Sequence, residues 1–451
     1  MLAGLTAAAA SLSPRGGLAA VQAALVQDGC VRLTLFPDTA AVSDGELSLG
    51  GAPVSRLAAE HGTPLVVLCA ETLRARALAY VDAAPGALVA YSVKALPNVA
   101  VLRELAALGL GADVSTLGEL RFAIAAGVPG ERIVVHGNNK SDEELRAAAS
   151  AGARFVVLDA EDEVERAAAA GVARVLVRVT PGIDADTHAA IRTAHVGSKF
   201  GLPPEAALRA IAAARPAGLD VAGIHVHIGS QLLDTQTARS SVDWAAAFAA
   251  DCRAELGWTP SVLNVGGGLG IAHVEDERPP SIGDFVGALA GRIRHEWELL
   301  GLPLPSLVLE PGRSIVGPAG VTLYRVGVVK RASESTTWVA VDGGMSDNPR
   351  PALYGARLTA VLAERLDEEP AGPYTVCGKH CESGDVLVDR VALPEPRRGD
   401  LVAVPATGAY TLAMSSTYNA VPRPAAVLVE KGEARVIRRR ETVAELLAHE
   451  T

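Results

Sequence analysis

Between residues 61 and 310 the sequence alternates eight times between a short β-rich run and a longer segment of helical period. Strand candidates end near Lys94, Ser115, His136, Asp159, Arg178, His227, Gly266 and Glu310, with segments such as NVAVLRELAALG, SDEELRAAASAG and PPEAALRAIAAA between them. Apolar runs this continuous belong to strands buried on both faces, as in a parallel sheet covered by helices. Eight repeats, over a length close to the roughly 250 residues usual for such folds, predict a closed (β/α)8 barrel.

After EPGRSIVGPAG the texture changes. VTLYRVGVVKR, TTWVAVDGG, DVLVDRVAL, DLVAVPATGAY and AAVLVEKGEARVIRRRE are short strands separated by Gly, Pro and Asp turns. Residues 311–451 therefore read as an all-β domain of sandwich or barrel-like form. Residues 26–60, with CVRLTLFPD and GELSLGG, are expected to add strands to it, and residues 1–25 to form a flexible extension. Within the second domain only RLTAVLAERL and ETVAELLAHE have helical character. The fold class is thus α/β plus all-β.

With 451 residues the chain is long enough for about two or three domains, and 49% hydrophobic content supplies a large core. A net charge of −10 argues against nucleic acid or an anionic membrane as the main partner. No apolar run reaches the roughly 20 residues of a membrane span. The opening MLAGLTAAAASL lacks a basic leader and soon meets Pro14 and Arg15, unlike a signal peptide. Five cysteines (Cys30, Cys69, Cys252, Cys377 and Cys381), with no CxxC pair, suit a reducing cytoplasm.

In a barrel of this class the active site lies at the C-terminal ends of the strands. Lys94 stands at one such end, in AYSVKALPN, just before the turn signal Pro97-Asn98. Lysine is seldom buried without a partner. The other ends carry Asp113 with Ser115, His136 with Asn138 and Asn139, Asp159, Arg178, His227 with Ser230, Gly266-Gly267-Gly268, and Glu310 with Arg313. Taken singly, each is accounted for as a helix cap or a turn residue. Eight together, with this chemistry, are not.

Three successive glycines let backbone N–H groups approach an oxyanion closely, as in phosphate cradles. Arg313 adds a charged contact. Glu310 is a carboxylate suited to a protonated ring nitrogen, and His227 is a flat ring able to stack on a flat cofactor. HVH is also half a metal site, but no further His/Cys cluster completes a coordination sphere, so no metal is expected. Lys94 supplies an amine for a Schiff base. Phosphate cradle, stacking ring, pyridinium partner and amine together point to pyridoxal 5'-phosphate.

The motifs YSVKA, GADVSTLGEL, HGNNKS, THAAIRTAHVGSKFGL, HVHIGSQ, GGGLGI, EPGRSIVGPAG, DGGMSDNPRPALYGA, GKHCESGD and ATGAYTLAMSSTYN follow one another from about residue 61 to the C-terminus. In them the chain resembles the fold-type III pyridoxal-phosphate decarboxylases, and within these the diaminopimelate decarboxylases. The resemblance implies a barrel plus a β-domain working as a homodimer on a small-molecule substrate. It implies that Lys94 bonds the cofactor, His227 stacks on its ring and Glu310 meets the ring nitrogen. Ser230, Gly268, Arg313 and Tyr410 would serve the phosphate, with Asp113, Gly266, Gly267 and Gly312 completing the cofactor's surroundings. Arg313, Arg350, Tyr354, Glu382 and Tyr410 would line the substrate. Cys381 would be the acid that returns a proton, reaching in from the other subunit.

Three positions depart from the family's pattern: Leu96 where Asn is common, Thr116-Leu117 within STLGEL, and His273 where Tyr is frequent. None removes a named catalytic group. At the substrate's far end, Arg350 and Tyr354 suit a carboxylate and Glu382 an ammonium, a two-headed pattern that fits diaminopimelate better than a simple diamine precursor. The implied activity is decarboxylation of meso-2,6-diaminopimelate to L-lysine, the last step of lysine biosynthesis. The competing readings are the same fold acting on ornithine, arginine, lysine or a D-amino acid, a non-catalytic regulatory relative, and an amino-acid racemase.

Overall fold

The computed structural model describes residues 26–27, 30–31, 33–181 and 198–451. Eight parallel strands close into a barrel: Leu88–Ser92, Gly111–Val114, Ile133–Val135, Phe155–Leu158, Arg174–Arg178, Asp220–His225, Val262–Asn264 and Ser306–Leu309. The last pairs with the first, Val308 beside Leu88 and Leu309 beside Val89. Side chains alternate along each strand, as the pleat requires. Ala90, Val134, Phe155, Val157, Leu176, Ala222, Val262 and Val308 fill the interior as one buried cluster. Val89, Tyr91, Ile133 and Val135 face the surrounding helices. The guanidinium groups of Arg154 and Arg174, each 5.4 Å from the centre of the Phe155 ring, close the N-terminal end of that interior. The other end is open to functional side chains.

Local sequence sets where the helices start. SDEEL builds a reciprocal cap for helix Asp142–Ser150: Glu144 N–H donates to Ser141 Oγ at 3.1 Å and Ser141 N–H to Glu144 Oε2 at 2.8 Å. Thr116, one of the departures from the family pattern, caps helix Leu117–Ala125 by accepting from Glu119 N–H.

The second domain is a nine-stranded, mostly antiparallel sheet. Its spine is the 12-residue strand Gly320–Arg331. One half of that strand pairs with Leu65–Cys69 and Leu401–Pro405, and the other half with Thr337–Val341. Its alternating side chains serve two separate cores, Val321 and Leu323 entering one and Tyr324 and Val326 the other.

Three expectations need correction. Leu65–Cys69, placed in the barrel by its sequence position, is a strand of the second sheet, paired with Gly320–Leu323 and Ala425–Val429. Its five residues are all buried, so pattern alone cannot assign it to either sheet. Residues 41–53 form their own three-stranded sheet rather than extending the large one. They contribute Leu47, Leu49 and Ala52 to the core beneath Leu65 and Val321. RLTAVLAERL is not helical: Val361 and Leu362 form a short strand opposite Ala403 and Val402, because pairing and burial of Ala360 and Leu362 outweigh helix propensity. By contrast ETVAELLAHE does form helix Val443–Leu447, capped by Thr442 and Glu445. The expected N-terminal extension and residues 187–197 of THAAIRTAHVGSKFGL lie outside the described residues.

Candidate active site

A cavity of about 450 Å³ opens at the C-terminal ends of the barrel strands. Of the residues singled out in the sequence, Lys94, Asp113, His227, Ser230, Gly267, Gly268, Glu310, Gly312, Arg313, Arg350, Tyr354 and Tyr410 line it. Gly266 lies just behind, against the His227 ring. Cys381 and Glu382 do not line it; both are exposed on a loop of the second domain.

Lys94 sits in a single 3-10 turn, Val93–Ala95, that follows strand Leu88–Ser92. Its exposed surface faces the cavity, while protein surrounds its amine. Burial alone would lower the pKa of that amine. Tyr410, Asp113 and Glu310 outweigh burial and the opposing Arg178, and the net shift is upward. The turn is tied to the second domain by Tyr410 N–H donating to Ala95 O at 2.9 Å, with Tyr410 itself at φ 56°.

The cavity floor is a carboxylate cluster. Glu310 accepts from Asn264 Nδ2 at 2.6 Å and contacts His136 Nε2 at 2.7 Å, with His225 Nε2 at 3.5 Å. Burial would raise its pKa, but His136 and His225 overcome that and hold the carboxyl well below the usual range. Asp113 goes the other way. Burial and the adjacent Glu310 charge push it up, against His136 at 3.8 Å, Lys94 and the hydrogen bond from Ser92 Oγ at 2.6 Å. One carboxylate is thus kept anionic and its neighbour disfavoured as an anion. Burial drives His225 down to about 3, so its ring is neutral at physiological pH. The sequence reading marked His136 as a strand-end residue and His225 within HVH, but missed that they and Asn264 are partners of Glu310.

The opposite wall is cationic. Arg313 donates from Nη2 to Ser230 Oγ at 3.1 Å and lies 4.7 Å from the centre of the Tyr410 ring. Its Nε and Nη1 are buried without protein partners, as is Arg350 Nε. Burial and the neighbouring Arg313 lower the pKa of Arg350 to about 9. Gly267 and Gly268 of the glycine turn line the same cavity. A Cβ on Gly267 would fall 2.3 Å from Glu310 O, and Gly268 has φ +119°. Only glycine allows this backbone to fold against the strand end and present its N–H groups.

These features fit pyridoxal phosphate. Orphaned guanidinium donors and a glycine turn suit a phosphate, an anionic Glu310 suits a protonated ring nitrogen, and Lys94 lines the same cavity. Residues 70–317 match the family model described as "Pyridoxal-dependent decarboxylase, pyridoxal binding domain". The chain belongs to the pyridoxal-dependent decarboxylases. It is 44% identical over 425 residues to the diaminopimelate decarboxylase of Actinosynnema pretiosum subsp. auranticum, covering 92% of this chain and 95% of that one. The structure of M. jannaschii diaminopimelate decarboxylase in complex with L-lysine superposes with a TM-score of 0.85 at 34% identity, over 92% of this chain and 98% of that one. A lysine/ornithine decarboxylase of Vibrio vulnificus complexed with putrescine is more distant, with a TM-score of 0.72 at 25% identity, over 84% of this chain and 97% of that one. The family's matched span starts at Ala70, where the barrel's chain starts once Leu65–Cys69 is assigned to the second sheet.

Proposed function

We propose that this chain is a diaminopimelate decarboxylase, converting meso-2,6-diaminopimelate to L-lysine and carbon dioxide with pyridoxal phosphate as cofactor. The observation that carries this reading is the pair of buried arginines, Arg313 and Arg350, with unpartnered nitrogens in the same cavity as Lys94. Two like charges buried side by side are costly unless ligands bring anions to them. One cofactor phosphate and one distal substrate carboxylate supply them. Lysine and ornithine carry no distal carboxylate, so Arg350 would meet their ammonium group with like charge.

Lys94 would hold the cofactor's aldehyde carbon, and His227 would cover its ring. Glu310, kept anionic by His136, His225 and Asn264, would hold the proton on the ring nitrogen. Ser230, Gly266, Gly267, Gly268, Gly312, Arg313 and Tyr410 would receive the phosphate, with Asp113 near the ring. Bound there, the cofactor supplies an electron sink for the pair left on the substrate's α-carbon when carbon dioxide departs. Arg350 and Tyr354 fix the far carboxylate, which helps orient the departing carboxylate.

A proton must then reach the α-carbon. Cys381 is a suitable acid and Glu382 a suitable partner for the distal ammonium. Both are exposed on a loop outside this chain's cavity, which favours a homodimer in which each site takes Cys381 and Glu382 of the partner subunit. The free thiols Cys69, Cys252, Cys377 and Cys381 suit a cytoplasmic setting. No described helix is long and apolar enough to cross a membrane.

The test is formation of lysine and carbon dioxide from meso-diaminopimelate, with lysine and ornithine as competing substrates. A preference for either diamine precursor would instead place the chain's activity with that of the lysine/ornithine decarboxylases. Sharing of sites is tested by mixing Lys94→Ala and Cys381→Ala proteins under subunit exchange. About a quarter of wild-type activity should return, since about half the dimers are mixed and each mixed dimer has one complete site. No recovery after demonstrated exchange would place both groups of a site on one chain.

A further inference from the structure

Asp385 joins two loops with different tasks. Its Oδ1 accepts from Met345 N–H at 2.7 Å, in the loop that leads to Arg350. Its Oδ2 accepts from His380 N–H at 2.9 Å and contacts His380 Nδ1 at 2.8 Å, in the loop that carries Cys381 and Glu382. The carboxylate is 3% exposed as a residue and stands where two side chains would otherwise be. A Cβ on Gly344 would lie 2.5 Å from Oδ1, and one on Gly378 2.1 Å from Oδ2. The loops also touch directly, through Lys379 N–H to Gly343 O at 3.0 Å.

Each loop ends on a functional residue. From Met345 the chain runs through buried Asp347 and Asn348 to Arg350, which is buried and lines this chain's cavity. From His380 it runs straight to Cys381 and Glu382, which are exposed and outside that cavity. The far side of the second loop is held by the His380 ring stacked on Tyr418, with centres 5.8 Å apart, and by Cys381 N–H donating to Asn419 Oδ1 at 3.0 Å. The Arg350 loop and the Cys381 loop are therefore joined by one buried, hydrogen-bonded carboxylate as well as by the direct Lys379–Gly343 bond.

We propose that Asp385 is a positioning residue that couples the two active sites of the dimer. It links the loop that reads the distal carboxylate in one site to the loop that delivers the proton donor to the other. The proposal rests on the shared-site reading above. Filling Arg350 with a carboxylate steadies its own loop and, through Asp385, the Cys381 loop of the same chain. The neighbouring site then receives its acid in a more fixed position.

The experiment uses mixed holoenzyme dimers and pimelate, a seven-carbon dicarboxylate without amines. One chain is native at Arg350 and Cys381; its partner carries Arg350→Ala and Cys381→Ser. Pimelate then fills only the native chain's cavity, whereas the single Cys381 thiol belongs to the other, empty site. Alkylation of the Cys381 peptide, followed by mass spectrometry, should slow at least threefold on adding pimelate. Asp385→Asn in the native chain should abolish that slowing; if this variant does not fold, His380→Gln, which removes the ring Nδ1 contact and keeps the backbone N–H bond, should reduce it. A control dimer pairs an Arg350→Ala chain bearing Cys381 with a Cys381→Ser chain bearing Arg350, so that pimelate and thiol share one site. Protection in the control without slowing in the test dimer overturns the coupling. Absence of protection in the control overturns the shared site itself. Slowing that is undiminished in foldable Asp385→Asn or His380→Gln dimers removes Asp385 from the pathway.

Discussion

The two walls of the cavity handle charge in opposite ways. At the floor, Glu310 is surrounded by His136, Asn264 and His225, and its charge is compensated within the chain. At the opposite wall, Arg313 and Arg350 leave three buried nitrogens without protein partners. A group that must hold one protonation state throughout a reaction is best surrounded by fixed partners. A group that must recognise an arriving anion has to keep its donors open, and the ligand-free protein bears the cost. The floor is therefore built for electronic control and the cationic wall for recognition, and substitutions in the two should have different signatures.

The largest effect is expected where the walls meet. Lys94→Ala removes the amine proposed to hold the cofactor, so the borohydride-reduced adduct should disappear along with activity. Peptide mapping that finds the adduct on another lysine would place the junction of the two walls elsewhere.

Next comes the floor. Glu310→Gln keeps shape but loses charge, leaving His136 and His225 without their anion. Turnover should fall by about 100- to 1000-fold, the scale seen when one fixed electrostatic partner is removed. Cofactor content, read from absorbance, should change far less. The ligand-free protein should also lose roughly 1–3 kcal/mol of stability, because buried partners are stranded. Normal turnover in a loaded Glu310→Gln enzyme would mean that the floor does not control the ring nitrogen.

The cationic wall should respond with the other sign. Arg350→Ala should cost about 10- to 1000-fold in preference for diaminopimelate over lysine, since the distal carboxylate loses its buried partner. Yet the ligand-free protein should melt higher, by roughly 1 kcal/mol, because a buried charge beside Arg313 has gone. A lower melting point together with unchanged preference would make Arg350 a structural residue and remove the contrast.

The same contrast separates what could be read in the sequence from what could not. Each barrel strand needs only a short apolar run and a following helix, so its end is legible from local pattern. Lys94, the glycine turn and Glu310 stand at such ends. The anchoring of Glu310 is not local: Asn264, His136 and His225 come from three strands, and only closure of the barrel brings them within reach. Leu65–Cys69 failed for a related reason, since an all-buried strand carries no mark of which sheet it joins. The exposed position of Cys381 and Glu382 relative to their own cavity is likewise a property of tertiary structure, invisible in the spacing of GKHCESGD.

The smallest effect is in acid stability, to which His225 and Glu310 of the floor contribute with one sign and Asp113 with the other. Burial lowers the pKa of His225 from 6.5 to about 3, so the folded protein resists protonating a ring that the unfolded chain protonates readily. Between those values the unfolded state binds more protons, and stability falls as pH drops from about 6.5 towards about 3. Glu310, held below the usual carboxylate range, acts in the same direction at the lower end of that window, because its stabilising charge is lost only as pH falls through its depressed pKa. Arg350, at about 9, titrates well above this range and contributes nothing to it. Melting temperatures of the cofactor-free protein from pH 7 to pH 4 should carry this falling contribution against the opposing one of Asp113 and Asp347, whose raised pKa values favour the folded state in acid. His225→Gln should give a shallower slope, whereas Arg350→Ala should shift the whole curve without changing its slope. If His225→Gln leaves the slope intact, the acid sensitivity lies outside the Glu310 cluster, and the floor is less tightly compensated than its geometry indicates.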